Sequence, residues 1–210
     1  MKRFRIFTLA LSTALVLASC QDETPPTVET KQEKEICFYS YNEGTTLMEW
    51  TAFKFTEKAP VKGTFTEINV AGTLVSDDPM ALLSSLTFSI PVSSISSQNE
   101  ERDGKIMKQF FGTIKTENLT GKVVSLGMDE TAVLDITMNS LTKAVKGKYT
   151  FEDGKFDFSA SIDVGDWSAV PGIKALNTIC KDLHTGADGV SKLWAEVDLK
   201  FSTTLSSDCD

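Results

Sequence analysis

Apolar and polar residues alternate along three long segments of this 210-residue chain. In residues 132–138, 156–164 and 193–205, every second residue is apolar except Thr203, and the residues between them are mostly polar or charged. A period of two places the apolar residues on one face of a β-strand. Strands with one apolar face are typical of antiparallel sheets that pack a core on one side and meet water on the other.

A tight hairpin is predicted where Asp153-Gly154 separates two of these strand segments. A two-residue Asp-Gly loop favours a type I′ turn, because both of its residues need positive φ. That turn would place Glu152 opposite Lys155 and the apolar Phe151 opposite Phe156, so the turn and the alternation agree.

Two stretches break the strand pattern, since residues 103–111 and 173–183 carry apolar side chains at helical spacing. Near the start, around Trp50, either face of the strand could point inward. Pro91 lacks a backbone N–H, so the strand that contains it is expected at a sheet edge or with a bulge. Roughly six to nine strands with turn signals between them, and no alternation of strands with helices, predict an all-β protein. We therefore expect a single antiparallel barrel or sandwich with two short helices.

The first residues of the chain indicate an export signal rather than a part of the fold. Residues 1–19 combine a basic start with an apolar run, and the run ends in Leu17-Ala18-Ser19-Cys20, which looks like a bacterial lipobox. That resemblance implies cleavage before Cys20 and its acylation, whereas an ordinary secretory peptide is the alternative. We expect residues 20–35 to be a flexible tether and 36–210 the folded domain, held by lipid in the cell envelope, with the outer membrane as its expected location.

Composition excludes several classes of protein. Hydrophobic residues make up 41% and charged residues 24%, which is the globular range and argues against a disordered or multi-span membrane chain. The net charge of −8 would repel nucleic acids and anionic lipid surfaces. The oligomeric state is left open.

A series of short motifs between residues 46 and 205 resembles the YceI-like family of polyisoprenoid-binding proteins. In chain order they are Trp50-x-Ala52-x-Lys54, Gly63-x-Phe65, Ile90-x-Val92-x-Ser94-Ile95, Arg102-Asp103, Phe110-Phe111, Thr142-Lys143-x-Val145 and Ile162-x-x-x-x-Trp167. The chain departs from the family pattern at Lys54, where a histidine is usual. The resemblance implies an eight-stranded, lipocalin-like barrel, closed by helices, with an isoprenoid tail threaded into its apolar interior.

The candidate ligand-binding residues are the apolar side chains that the alternation turns inward. They are Trp50, Phe65, Phe88, Ile90, Leu134, Ile136, Met138, Tyr149, Phe151, Phe156, Phe158, Ile162, Val197, Leu199 and Phe201. Phe110 and Phe111 are expected to plug one end of the barrel and to make the first contacts with a ligand tail. Lys54 either pairs with a head group at the mouth or extends to solvent. The same apolar set would equally fill a solid core, so a ligand-free scaffold or adhesion module is the alternative function.

Catalytic and metal-binding motifs are not apparent, so we expect no enzyme activity, no metal and no cofactor. Cys180 and the single histidine, His184, lie four residues apart, a spacing that suits a thiolate dyad, yet His184 is better explained as a cation at a helix end. Asp103 is interpreted as a helix cap. In an up-and-down barrel the first and last strands meet, which favours a Cys37–Cys209 disulfide, with Cys180 as the rival partner of either.

Overall fold

The computed structural model of the protein describes residues 36–209. The predicted signal segment, the predicted acylation site at Cys20 and the predicted tether lie outside the described residues. The strands are β1 Cys37–Ser40, β2 Leu47–Lys54, β3 Ala59–Phe65, β4 Asn69–Ala71, β5 Val75–Ser76, β6 Thr87–Pro91, β7 Ile95–Ser96, β8 Asn118–Leu126, β9 Thr131–Met138, β10 Leu141–Glu152, β11 Lys155–Asp163, β12 Leu193–Thr204 and β13 Ser206–Cys209. The helices are α1 Pro79–Ser85, α2 Glu100–Lys105, a π-helical turn Ile106–Phe111, α3 Val170–Ile179 and α4 Lys181–His184, with short 3-10 helices at Glu43–Thr45, Val92–Ser94 and Val164–Trp167.

One large antiparallel sheet curls around the core. Its strands pair in the order β4-β6-β8-β9-β10-β11-β12-β2-β3-β7. β3 pairs with β7, and β4, which follows β3 along the chain, pairs with β6. When β3–β4 and β6–β7 are each counted as one interrupted strand, the pairings run around a ring of eight strands. The predicted all-β, lipocalin-like fold is confirmed.

The predicted β10–β11 hairpin forms with the expected register. Glu152 pairs with Lys155 and Phe151 with Phe156, and Asp153 and Gly154 both have positive φ, at 49° and 77°. Because the side-chain period is two, this register places the apolar set of both strands inside the barrel. Pro91 ends β6 at a position that pairs only with Asn118 of β8, and the 3-10 helix that follows interrupts the strand.

The Cys37–Cys209 disulfide forms as predicted, but in a different place. It joins β1 to β13 inside a separate three-stranded sheet of order β13-β1-β5. The first and last strands of the barrel itself, β2 and β12, pair with each other without a cystine. The expectation was right about the meeting of the chain ends and wrong about the sheet that holds them.

Both predicted helices are present, each in two parts. α2 begins at Glu100 and runs into the π-helical turn, and Cys180 separates α3 from α4. α1 was not predicted, although Asp78 accepts hydrogen bonds from the N–H groups of Met80 and Ala81, and Pro79 opens the helix. A seven-residue helix is too short for its helical period to stand out from the surrounding strand pattern.

Candidate functional site

An apolar cavity of about 130 Å³ lies inside the barrel, beneath the helical segments. Alternate residues of β2, β9, β11 and β12 point into it, and the π-helical turn and α3 cover it from outside the sheet. Its lining includes nine of the predicted binding residues: Trp50, Phe65, Phe110, Phe111, Ile136, Met138, Ile162, Val197 and Leu199. No charged side chain belongs to the lining, so the cavity suits a hydrocarbon group.

The other predicted apolar residues pack against one another in the second half of the barrel. They are Phe88, Ile90, Leu134, Tyr149, Phe151, Phe156, Phe158 and Phe201, and we call this set the aromatic end. Tyr149 stacks on Phe156 at 5.6 Å between ring centroids, and Phe88 stacks on Phe201 at 6.4 Å. Period two places every second residue inside, but it does not say which half of a strand borders empty space. Whether either set binds a ligand stays a prediction.

Several lining residues were missed by the sequence reasoning. Ile106, Ile173 and Leu176 come from the helical segments, where the apolar spacing predicted packing on the sheet rather than a cavity wall. Trp194 has the outward parity of β12, and the centre of its ring lies 4.6 Å from the Lys58 ammonium and 3.4 Å from the Lys192 ammonium. It nevertheless borders the cavity, at the point where the β2–β12 register shifts between Leu193 and Val197. The alternation carries no signal for such a bulge.

The π-helical turn and α3 form a lid over the cavity. Phe110 and Phe111 meet edge to face at 4.9 Å, and both are buried. The N–H of Gly112 donates to the carbonyl of Met107 at 2.8 Å, which is the i→i−5 bond of a π-helical turn. The Phe pair therefore lies buried under the lid at this end of the barrel, and its role as a plug stays a prediction.

A second hollow, of about 340 Å³, adjoins the cavity on the outer side, and we call it the vestibule. It shares Trp50, Ala52, Ile106, Leu176 and Leu193 with the cavity lining. Its polar wall consists of Lys54, Asn99, Glu101, Arg102, Lys105 and His184. The ammonium of Lys54 donates to the carbonyl of Leu183 at 3.2 Å and lies 4.5 Å from the centre of the Phe55 ring, so Lys54 is held at the barrel mouth.

Asp103 is not the cap of its helix, as the sequence suggested. The side chain of Asn99 caps α2 by accepting from the N–H of Arg102 at 2.9 Å. Asp103 is buried and accepts hydrogen bonds from both the N–H and the hydroxyl of Ser97. Arg102 binds the same residue, with its Nε donating to the Ser97 hydroxyl at 2.7 Å and an Nη donating to the Ser97 carbonyl at 2.8 Å. Asp103 and Arg102 therefore fix Ser97, in the loop before α2, to the helix.

His184 does not act as the predicted helix-end cation. Burial lowers the pKa of His184, and the nearby charge of Lys54 lowers it further, so the imidazole is neutral at pH 7. The Nδ1 atom lies 2.9 Å from the side-chain oxygen of Asn177, which can only accept, so Nδ1 carries the proton. Burial raises the pKa of the Cys180 thiol, which leaves it protonated rather than nucleophilic.

The described part of the chain contains no cluster of three or more metal-ligating His, Cys, Asp or Glu side chains. Within residues 36–209, none of the helices has both the length and the apolar character needed to cross a bilayer.

Comparison with known proteins yields one family. A polyisoprenoid-binding domain from Saccharophagus degradans, implicated in plant cell wall breakdown, superposes with a TM-score of 0.57 at 11% identity, covering 83% of this chain and 100% of that one. BcnA of Burkholderia cenocepacia superposes with a TM-score of 0.52 at 14% identity, covering 79% of this chain and 99% of that one. No curated protein matches the sequence. Residues 39–205 match the YceI-like domain, and the chain therefore belongs to the YceI-like family.

Proposed function

We propose that this protein binds an isoprenoid or another long-chain amphiphile, with the apolar tail inside the barrel. The observation that carries the proposal is the cavity itself, an apolar space that adjoins a polar hollow through shared side chains. An amphiphile needs that order of environments, with hydrocarbon inside and polar groups outside. The polyisoprenoid-binding description of the Saccharophagus degradans domain supports the same ligand class.

The size of the cavity sets how the tail would enter. An apolar cavity of roughly 150 Å³ holds a molecule the size of benzene, so 130 Å³ accommodates about one prenyl unit. Each additional buried methylene contributes about 0.8 kcal/mol, and about ten of them reach micromolar affinity. A longer tail therefore extends into the vestibule or displaces the lid, since the aromatic end is already filled by its own rings.

Lipid extraction tests the binding proposal. Protein purified from its native host is denatured and extracted, and the extract is analysed by lipid mass spectrometry, while refolded protein is offered a fluorescent polyprenyl probe. We expect a stoichiometric prenyl lipid, or saturable uptake of the probe. If no lipid is released and no probe is taken up, the filled-barrel scaffold becomes the better explanation, and the eight packed residues of the aromatic end would agree with it.

The N-terminal segment supports a second part of the proposal, that acylated Cys20 anchors the domain in the cell envelope, with the outer membrane as the expected site. Anchoring would keep the barrel beside a lipid source, which suits transport, storage or stress protection. Cys20→Ser should move the protein from the membrane fraction to the soluble fraction and remove the acyl mass from its N-terminal peptide. An unmodified Cys20, or membrane association that survives Cys20→Ser, would contradict the anchor.

A further inference from the structure

The vestibule gathers positive charge on a protein whose net charge is negative. Three of its lining residues are cations, Lys54, Arg102 and Lys105, and one, Glu101, is a carboxylate. The whole chain carries a net charge of −8, so a hollow with an excess of cations is opposite in sign to the chain. In a partly enclosed hollow such charges interact more strongly with a ligand than they would on an open surface.

Two of the cations are held in position with donors to spare. Lys54 gives one of its three ammonium hydrogens to the carbonyl of Leu183. Arg102 uses its Nε hydrogen and one Nη hydrogen on Ser97, which leaves three of the five guanidinium hydrogens. Positions fixed before binding reduce the entropy cost of holding an anion.

The remaining titratable groups add no negative charge beyond Glu101. His184 is neutral because burial and Lys54 lower its pKa, and burial keeps the Cys180 thiol protonated. Glu101 is engaged by the third cation, since its carboxylate lies 2.6 Å from the Lys105 ammonium. Within the described residues neither Lys54 nor Arg102 has a carboxylate partner at ion-pair distance.

The cavity fixes where a head group would lie. Trp50, Ala52 and Leu176 line both spaces, so an amphiphile whose tail fills the cavity has its head in the vestibule. We propose that the vestibule binds an anionic head group of the phosphate type, through Lys54 and Arg102, and so selects prenyl phosphates over neutral prenols. This inference rests on the proposed binding of a tail. It adds the head-group class, which the apolar lining alone does not determine.

Farnesyl phosphate and farnesol test the inference, because they share one tail and differ only in the head. Both compete against the fluorescent polyprenyl probe on the full-length protein at low salt. We expect farnesyl phosphate to bind at least about tenfold more tightly, and its advantage to shrink as the ionic strength rises from about 0.05 M to 0.3 M. Lys54→Gln should remove most of this advantage, because it weakens the binding of farnesyl phosphate far more than that of farnesol.

Lys200→Gln is the matched control, because Lys200 lies on the outer face of β12, away from the vestibule. If Lys54→Gln does not fold, Lys54→Met replaces it, since it removes the same cation and keeps an unbranched side chain. Equal affinities for the two ligands, or equal losses in Lys54→Gln and Lys200→Gln, would overturn the anionic head group and leave tail binding in place. Failure of both ligands to bind would overturn the proposed function as well.

Discussion

At the scale of single residues, Ala52 controls the junction between the cavity and the vestibule. It lies on the inner face of β2, between Val61 and Val197 of the neighbouring strands, and it lines both spaces. Its side chain is small at the point where the two spaces meet. A larger side chain at this point would block the path of a tail without removing any contact of the core.

Ala52→Phe should therefore weaken probe binding while the fold persists. A phenyl ring is about as large as the benzene that a cavity of this size holds, so we expect affinity at least about tenfold weaker. The unfolding free energy should change by less than about 1.5 kcal/mol, because the ring enters existing space. Probe titration and urea denaturation measure the two quantities.

Thr51→Phe is the matched control, since Thr51 is the next residue of β2 and belongs to the outer face. It introduces the same ring outside the barrel and should leave probe uptake unchanged. Equal uptake by Ala52→Phe and the parent protein would contradict the placement of the tail in this cavity.

His184 offers a direct measure of the electrostatics at the mouth, because it is the only histidine of the chain. Burial and the Lys54 charge lower its pKa below the ordinary value of 6.5. The unfolded chain thus binds a proton more readily than the folded one, so the stability contributed by neutral His184 is complete above pH 6.5 and declines as the pH falls toward the folded pKa. We expect an NMR titration of the imidazole with its midpoint below 6.5.

Lys54→Gln should raise that midpoint, although not fully to 6.5, because the burial remains. Lys200→Gln should leave it where it is. A midpoint at or above 6.5 in the parent protein would show that the mouth is more hydrated than the structure indicates.

At the scale of elements, the lid depends on a close approach between α3 and the π-helical turn. Gly172 faces Phe110, and a Cβ atom added to it would lie 2.8 Å from Cδ2 of that ring and 2.9 Å from the Phe110 carbonyl oxygen. The absence of a side chain at Gly172 therefore allows α3 to rest on Phe110. Ile173 and Leu176 of the same helix then reach the cavity.

Gly172→Ala and Gly104→Ala should change stability in opposite directions. Both glycines are helical, and replacing glycine by alanine ordinarily stabilises a helix by up to about 1 kcal/mol. At Gly104 of α2 nothing lies within 4 Å of the added methyl group, so the gain should appear. At Gly172 the methyl group collides with Phe110, and we expect a net loss of about 1–3 kcal/mol.

Chemical denaturation of the two variants measures this difference. Stabilisation of Gly172→Ala by as much as Gly104→Ala would mean that the lid is packed more loosely than described. A faster rate of probe binding in Gly172→Ala would indicate that the lid moves when the probe enters the cavity.

These elements also show which features of the fold and the site the sequence predicts. The alternation in β9, β11 and β12 predicted which side chains point inward, because period two depends only on the strand geometry. It did not predict the position of the cavity, which depends on how far the lid descends into the barrel. Trp194 borders the cavity at a register shift between two strands, and the role of Asp103 arises from a contact with Ser97, six residues earlier in the chain. Such features depend on tertiary packing, which no local pattern encodes.

At the scale of the whole molecule, the cavity with its vestibule and the disulfide are built from different parts of the chain. The cavity and vestibule are bordered by the barrel and the lid, whereas Cys37 and Cys209 lie in the small sheet β13-β1-β5 and line neither space. The sequence predicted the pairing of these cysteines through the meeting of the chain ends. It did not predict a separate sheet, because β1, β5 and β13 are too short to show alternation.

Reduction of this disulfide should therefore lower stability and leave ligand binding intact. The bond joins residues 172 positions apart, and closing so long a loop restricts the unfolded chain by roughly 5 kcal/mol in the chain-entropy estimate. Measured effects are usually smaller, so we expect a loss of about 2–5 kcal/mol in the unfolding free energy on reduction or in a Cys37→Ser/Cys209→Ser variant. Cys180→Ser should keep the sensitivity to reductant, whereas the double variant should lose it. Unchanged stability on reduction would mean that the ends of the unfolded chain are already restrained by other contacts, and lost probe binding would mean that the small sheet supports the barrel mouth.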